Sequence, residues 1–350
     1  MFKRLFRRSA PLADSQPPGI VDQPAPVIVT ERATPAATAA PVQTAPSVDR
    51  GRLSLLFLRR LIGTPTTIDP GPADAECLIL EELARRVADR PLPSEMVPRL
   101  PTVLPRVLRA MRDPACDAGA LAEIIAGDTS LVAEVVRLAN SPAYGGVGRI
   151  ESLQQAVVRL GDDGVRRLLL AATMRPIIDV RGGLLGREGG ALLWEKNQHA
   201  ATAADFLARR LAAPRFPAFL TGLVSQAGLL VLARALAASG QPGFIAASDA
   251  FLARLDTLAR EVTSIVCEDW EMPEDVVRAT AGLVGGERAD SPLVTVVDTA
   301  DLLARITVLE RSGDLSEPLA LDAQTLGHPF AGACLDELRA LRRANERSVA

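Results

Sequence analysis

Hydrolysis or group transfer needs a nucleophile or a metal, a base, and a group that meets developing charge. Histidine, the commonest base near neutral pH, is scarce here: there are two, His199 in "NQHAATAA" and His328 in "TLGHPF". Neither has an HxxxH or HxH companion, and each reads as a surface or hydrogen-bonded residue rather than a ligand. Four cysteines, at 77, 116, 267 and 334, form no CxxC or other close ligand spacing. Carboxylates pair at Glu268–Asp269 and at Asp298 with Asp301. Asp298 and Asp301 stand three apart, share a helical face and have the chemistry to hold a hard cation. Without histidines beside them, both pairs read more simply as caps, solvated faces and salt bridges at the core edge.

A second polar pair interrupts the apolar stretch "TGLVSQAGLLVL", residues 221–232, where Ser225-Gln226 stands between Gly222 and Gly228. The stretch reads as one core helix carrying two hydrogen-bonding side chains. Ser225 lacks the strand-to-helix turn of a GxSxG nucleophile and has no histidine near it in sequence. There is no GxxxxGK[ST] loop, and "GGLLGREGG" lacks the preceding strand and glycine spacing of a dinucleotide site, so it reads as a flexible loop. Ser225 and Gln226 are expected to make local hydrogen bonds, with no metal beside them.

The elements that must position these residues are almost all helices. Residues 9–50 are rich in Pro, Ala, Thr and Ser without sustained periodicity, which predicts a disordered arm. A short helix is expected over "LSLLFLRRLIG", docking on the body, and an amphipathic one over 74–89. Asp117 and Asp128 stand where N-caps belong. Ser152 with Gln155 three residues on has capping-box spacing, and Gly161 ends that helix. Asn140 and Ser141, followed by Pro142 and the single tyrosine, Tyr144, form a helix-to-helix connection in which Asn140 can bond backbone groups. No repeat of 20–50 residues stands out. The fold expected is all-α, a multi-helix bundle of roughly a dozen helices with a disordered N-terminal arm.

A net charge of −3 over 350 residues gives no broad basic surface for nucleic acid. The basic start "MFKRLFRRSA" has no apolar run behind it, so it is not a secretory signal. Its Phe2, Leu5 and four basic residues suit a weak contact with an anionic membrane or a partner. No stretch is expected to supply the roughly 18 uncharged apolar residues of a membrane span. A cytoplasmic protein is the simplest reading.

Two ordered segments resemble a known family. "IIAGDTSLVAEVVRLANSPAY", 125–144, and "IESLQQAVVRLG", 150–161, resemble the paired motifs of the HDOD domain, a bacterial relative of the HD metal-dependent phosphohydrolases. "RLPTVLPRVLRAM", "ALLWEKNQHAATAA", "DWEMPEDVVRAT" and "VVDTADLLA" are similar to its flanking patterns, and the likeness covers about 95–310. The resemblance implies an HD-like helical bundle. It also implies where metal ligands would fall: the His-Asp pair at Ser225 and Gln226, another histidine at Lys196, later histidines near Thr280–Gly282, and a carboxylate at Asp298 or Asp301. Asn140, Ser141, Pro142, Tyr144 and Gly161 carry the family motif and a candidate interaction surface.

Ser and Gln bind divalent ions weakly compared with imidazole and carboxylate, and Lys196 adds positive charge where a cation would sit. No cofactor and no metal are therefore expected. The organisation expected is an arm over 1–50, a helical extension over 51–94, the HDOD domain over 95–310 and a helical extension over 311–350. The function implied is a non-catalytic regulatory protein that binds a protein partner in a bacterial signalling pathway, with no specific nucleic acid. The alternative is a divergent metal-dependent phosphohydrolase using Asp298 and Asp301.

Overall fold

The computed structural model describes residues 49–63, 74–88, 90–113, 115–141, 150–178, 184–185, 188–238, 247–285, 291–315 and 328–349. The expected arm falls almost wholly outside them, as do Pro142 and Tyr144. Thirteen helices make up the described body: α1 Arg50–Ile62, α2 Asp74–Ala88, α3 Leu104–Arg112, α4 Ala118–Ala126, α5 Thr129–Ala139 and α6 Leu153–Ile178. There follow α7 Gly189–Arg210, α8 Arg215–Val224, α9 Ala227–Ala238, α10 Asp249–Asp269, α11 Glu274–Gly285, α12 Pro292–Ser312 and α13 Ala331–Val349.

Helix starts follow the capping chemistry. Asp117 accepts from Ala120 N, and Asp128 accepts from Ser130 N and Leu131 N, so each satisfies donors that have no partner within the helix. Ser152 Oγ accepts from Gln155 N at 3.2 Å, while Gln155 reaches back to Glu151 N, one residue before the reciprocal bond expected. Gly161 separates two helical runs within α6, at φ 64° and ψ −178°, a conformation open to glycine and strained for other residues. Asn140 does more than end α5. Its Oδ1 accepts from Ile150 N at 2.8 Å, and its Nδ2 donates to Ile150 O at 2.7 Å and Val136 O at 2.8 Å, fastening α5 to the start of the next segment.

The core runs through α7, which packs along α8 and α12, with α10 against α9 and α11. α1 docks as expected: Leu53, Phe57, Leu58 and Leu61 are buried against the bundle, and Arg59 donates to Ala247 O at 2.8 Å. Gly222 and Gly228 permit two close crossings. A Cβ on Gly222 would lie 2.7 Å from Ala200 O of α7, and one on Gly228 would lie 2.0 Å from Ala259 O of α10.

Two expectations change. The apolar stretch is not one helix: α8 ends at Val224, α9 begins at Ala227, and Ser225-Gln226 form the break between them. The chain also does contain a stretch apolar enough to span a membrane by length and composition, because residues 216–233 carry no charged side chain. An 18-residue window within Arg215–Ala237 has mean hydropathy 1.7, yet 83% of it is buried inside the bundle. Its apolar surface is covered by protein helices, as in a core helix pair.

Candidate functional site

Three helices converge on the α8–α9 break. α7 contributes Lys196 and Asn197, the break contributes Ser225 and Gln226, α10 contributes Asp256 and Arg260, and α12 contributes Asp301 and Arg305. Lys196 is fully buried, and its Nζ forms an ion pair with Asp301 and donates to Ser225 Oγ at 2.8 Å. The Ser225 hydroxyl in turn donates to Gly222 O at 2.8 Å. That direction matters: Lys196 is the donor and Ser225 the acceptor, the reverse of what a lysine base activating a serine requires.

Arg305 lies one turn beyond Asp301. Its Nε donates to Asp301 Oδ2 at 2.8 Å, its Nη2 to Asp256 Oδ1 at 3.1 Å, and its guanidinium lies over the Phe57 ring of α1 at 5.3 Å. Arg260 Nε pairs with Asp256 at 3.3 Å. With its amide oxygen facing the cations, Gln226 accepts from Lys196 Nζ at 3.3 Å and Arg305 Nη2 at 3.2 Å. Gln226 thus bonds across helices, and Ser225 combines its local bond to Gly222 with contacts to Lys196 and Asn197 of α7, where local bonds alone were expected.

Three cations face two carboxylates, so the cluster carries one positive charge in excess. Burial is the largest influence on Lys196 and pushes its pKa down to about 8, with Arg305 adding to this and Asp301 opposing it. Burial would raise Asp301, but Arg305, Lys196 and Arg260 together hold it well below the usual carboxylate range. Asp256 faces the same opposition between burial and the guanidinium groups of Arg305 and Arg260, and it too is held low. A cavity of about 20 Å³, room for one water-sized body, adjoins Ser225, Gln226, Arg260, Thr280 and Asp301.

The two candidate carboxylates part company. Asp301 faces the cluster, whereas Asp298 forms an ion pair with Arg50 of α1. Each therefore meets a side-chain cation. His199 lies 3.7 Å from Glu195 and His328 Nδ1 accepts from Phe330 N, so neither is in the cluster. Among the described residues, no group of three or more His, Cys, Asp or Glu is placed to hold a metal. Arg305, Arg260 and Asp256 were missed in the sequence, although Asp301/Arg305 and Asp256/Arg260 both have the i, i+4 spacing of helical ion pairs. Of the motif residues, Asn140 makes the clamp described above, Ser141 Oγ is buried with no hydrogen-bond partner among the described residues, and Gly161 forms the kink in α6.

The family model of the HDOD domain matches residues 97–282, more than half of the sequence. The chain belongs to the HDOD domain family. An HDOD domain protein of unknown function from Geobacter sulfurreducens has the same fold, with a TM-score of 0.52 and 18% identity over 79% of this chain and 95% of that one. So does a candidate metal-dependent phosphohydrolase from Shewanella amazonensis SB2B, with a TM-score of 0.51 and 20% identity over 77% and 99% of the two chains. In sequence, an uncharacterized protein of Treponema pallidum (strain Nichols) is 32% identical over 88 residues, 25% of this chain. The chain spans only 17% of that relative's length.

Metal-dependent relatives of the HDOD fold imply a divalent ion, and the donors at this centre do not fit one. An ammonium, two guanidinium groups, a hydroxyl and an amide surround two carboxylates that already have cationic partners. A divalent ion beside Lys196 and Arg305 would meet like charge in a buried setting, where Coulomb repulsion is weakly screened.

Proposed function

We propose that this HDOD domain is a regulatory, non-catalytic module that acts by binding a protein partner in a bacterial signalling pathway. The observation that carries the reading is the buried Lys196 ammonium on the Asp301 carboxylate, beside Ser225 and Gln226. On this reading Lys196, Ser225 and Gln226 stand at former ligand positions, and the chain's own cations supply the positive charge that a metal would bring. Water activation by a bound metal then has no place at this centre. The module occupies 95–310, with 1–50 as an arm, helical extensions over 51–94 and 311–350, and a cytoplasmic location. The basic tip, with Phe2 and Leu5, suits a weak second contact with a membrane or partner.

Metal analysis of the purified protein, paired with turnover of a phosphodiester in the presence of Mn, Fe, Mg or Zn, tests the reading. Sub-stoichiometric metal and no turnover are expected. Stoichiometric metal with metal-dependent turnover that is lost in Asp298→Ala would establish the phosphohydrolase alternative instead. Affinity capture with the full chain and with a chain lacking residues 1–50 then assigns the partner to the helical body or to the arm.

A further inference from the structure

A cavity of about 330 Å³ lies away from the charge cluster, between the segment leading into α3, the start of α5 and the end of α6. That volume falls at the lower end of the range of small-ligand pockets. Its walls are apolar on several sides, with Val103, Leu131, Ala172 and Pro176 contributing. Leu131, Ala172 and Thr173 are buried, while Ser130 and Pro176 are exposed, so the cavity has a closed floor and an open mouth.

The polar groups here are mostly acceptors. Asp128 receives Ser130 N, Ser130 Oγ and Leu131 N all on Oδ1, and its Oδ2 accepts no hydrogen bond from the described residues. The same hydrogen bonds hold the Asp128 carboxyl below its ordinary pKa, so it is ionised near neutrality. Glu134 is paired with Arg137 and, at 3.2 Å, with Arg175. Thr173 Oγ1 spends its proton on Leu169 O and keeps its lone pairs. Arg137 and Arg175 both meet Glu134, so among the described residues Asp128 is the lining carboxylate with no cation paired to it.

We propose that this cavity receives a lysine side chain from the protein partner. An aliphatic stem suits the apolar walls, and an ammonium has three donors, with the Asp128 carboxylate and the Thr173 hydroxyl as its acceptors. A carboxylate ligand would be repelled by the Asp128 carboxylate, and an uncharged chain would gain no ion pair there. The assignment deepens the partner-binding reading of the domain and rests on it.

The test is an amide-resolved NMR titration of the full chain with Nα-acetyl-lysine methylamide, and separately with the uncharged Nα-acetyl-norleucine methylamide. The lysine probe is expected to shift the amides of Ser130, Leu131 and Thr173 and to saturate, with the norleucine probe about tenfold weaker. Asp128→Asn keeps a good helix cap while removing the charge, and is expected to weaken the lysine probe about tenfold. Thr173→Val removes the floor acceptor at similar volume and provides a second variant. Equal response to both probes, no response at these amides, or a response unchanged in both variants would overturn the assignment. A metal-free protein that ignores the lysine probe would sink this site alone, whereas a metal-dependent hydrolase would sink the regulatory reading.

Discussion

Lys196 of α7 donates to Ser225 at 2.8 Å, and Ser225 stands in the two-residue break that divides α8 from α9. The same ammonium pairs with Asp301 of α12, 105 residues further along the chain. One side chain thus joins α7 and α12 to the break and fixes the point at which the apolar stretch turns. The joining group is charged, so the connection responds differently to losing its cation and to losing its anion.

Asp301→Asn leaves Lys196, Arg305 and Arg260 facing Asp256 alone and is expected to cost about 3–5 kcal/mol. Lys196→Met removes the excess positive charge and substitutes a side chain of similar reach. Its cost is expected to be less than half that of Asp301→Asn. Urea unfolding of the two variants checks the order; equal losses would count against a cluster with surplus positive charge.

The pH dependence has two windows. The Lys196 pKa is lowered from 10.5 to about 8 on folding, so the unfolded chain binds more protons between those values. Stability gained from this group should therefore rise with pH across that window, by on the order of 3 kcal/mol at most. Asp301 is shifted downward, so its contribution is present above its ordinary value of 3.8 and is lost as pH falls below it. Lys196→Met should abolish the alkaline rise and reduce the acid loss without removing it, since Arg305 and Arg260 still hold Asp301 low; denaturant midpoints at pH 7, 9 and 10 report the first.

Gly228→Ala is expected to destabilise by about 3 kcal/mol or more, because its methyl would stand 2.0 Å from Ala259 O and 2.5 Å from Thr263 N. These are backbone atoms of α10, so relief requires moving a helix. A drop in the thermal midpoint measures the effect, and a midpoint unchanged from the parent would refute the close α9–α10 crossing.

Asn140→Ala removes the acceptor for Ile150 N and the donor for Ile150 O together, and is expected to cost about 1–3 kcal/mol. Amide exchange should quicken at Ile150. Exchange there at the parent rate would show that the clamp does not hold the segment.

Much of the fold was legible because its signals are local. Asp117 and Asp128 mark helix starts through short-range bonds, and Gly161 marks a break that glycine adopts without strain. The α8–α9 break carried no such signal. Apolar residues continue on both sides of Ser225-Gln226, and what holds the turn is Lys196 from another helix. Lys196, Ser225, Gln226 and Asp301 were picked out through family likeness and do meet in space. Arg305 was not, since its spacing from Asp301 is equally that of an exposed surface pair; only burial distinguishes the two.

The HDOD match ends at residue 282, but Asp301 and Arg305 come from α12 and Phe57 from α1. A fragment trimmed to the matched segment would keep Lys196 and lose its counter-charge, along with helices that bury much of α7. The segment that the family model matches is therefore smaller than the set of helices that build this centre. Where this chain is cut, transplanted or fused, keeping the centre whole means keeping α1 and α12 along with the matched stretch.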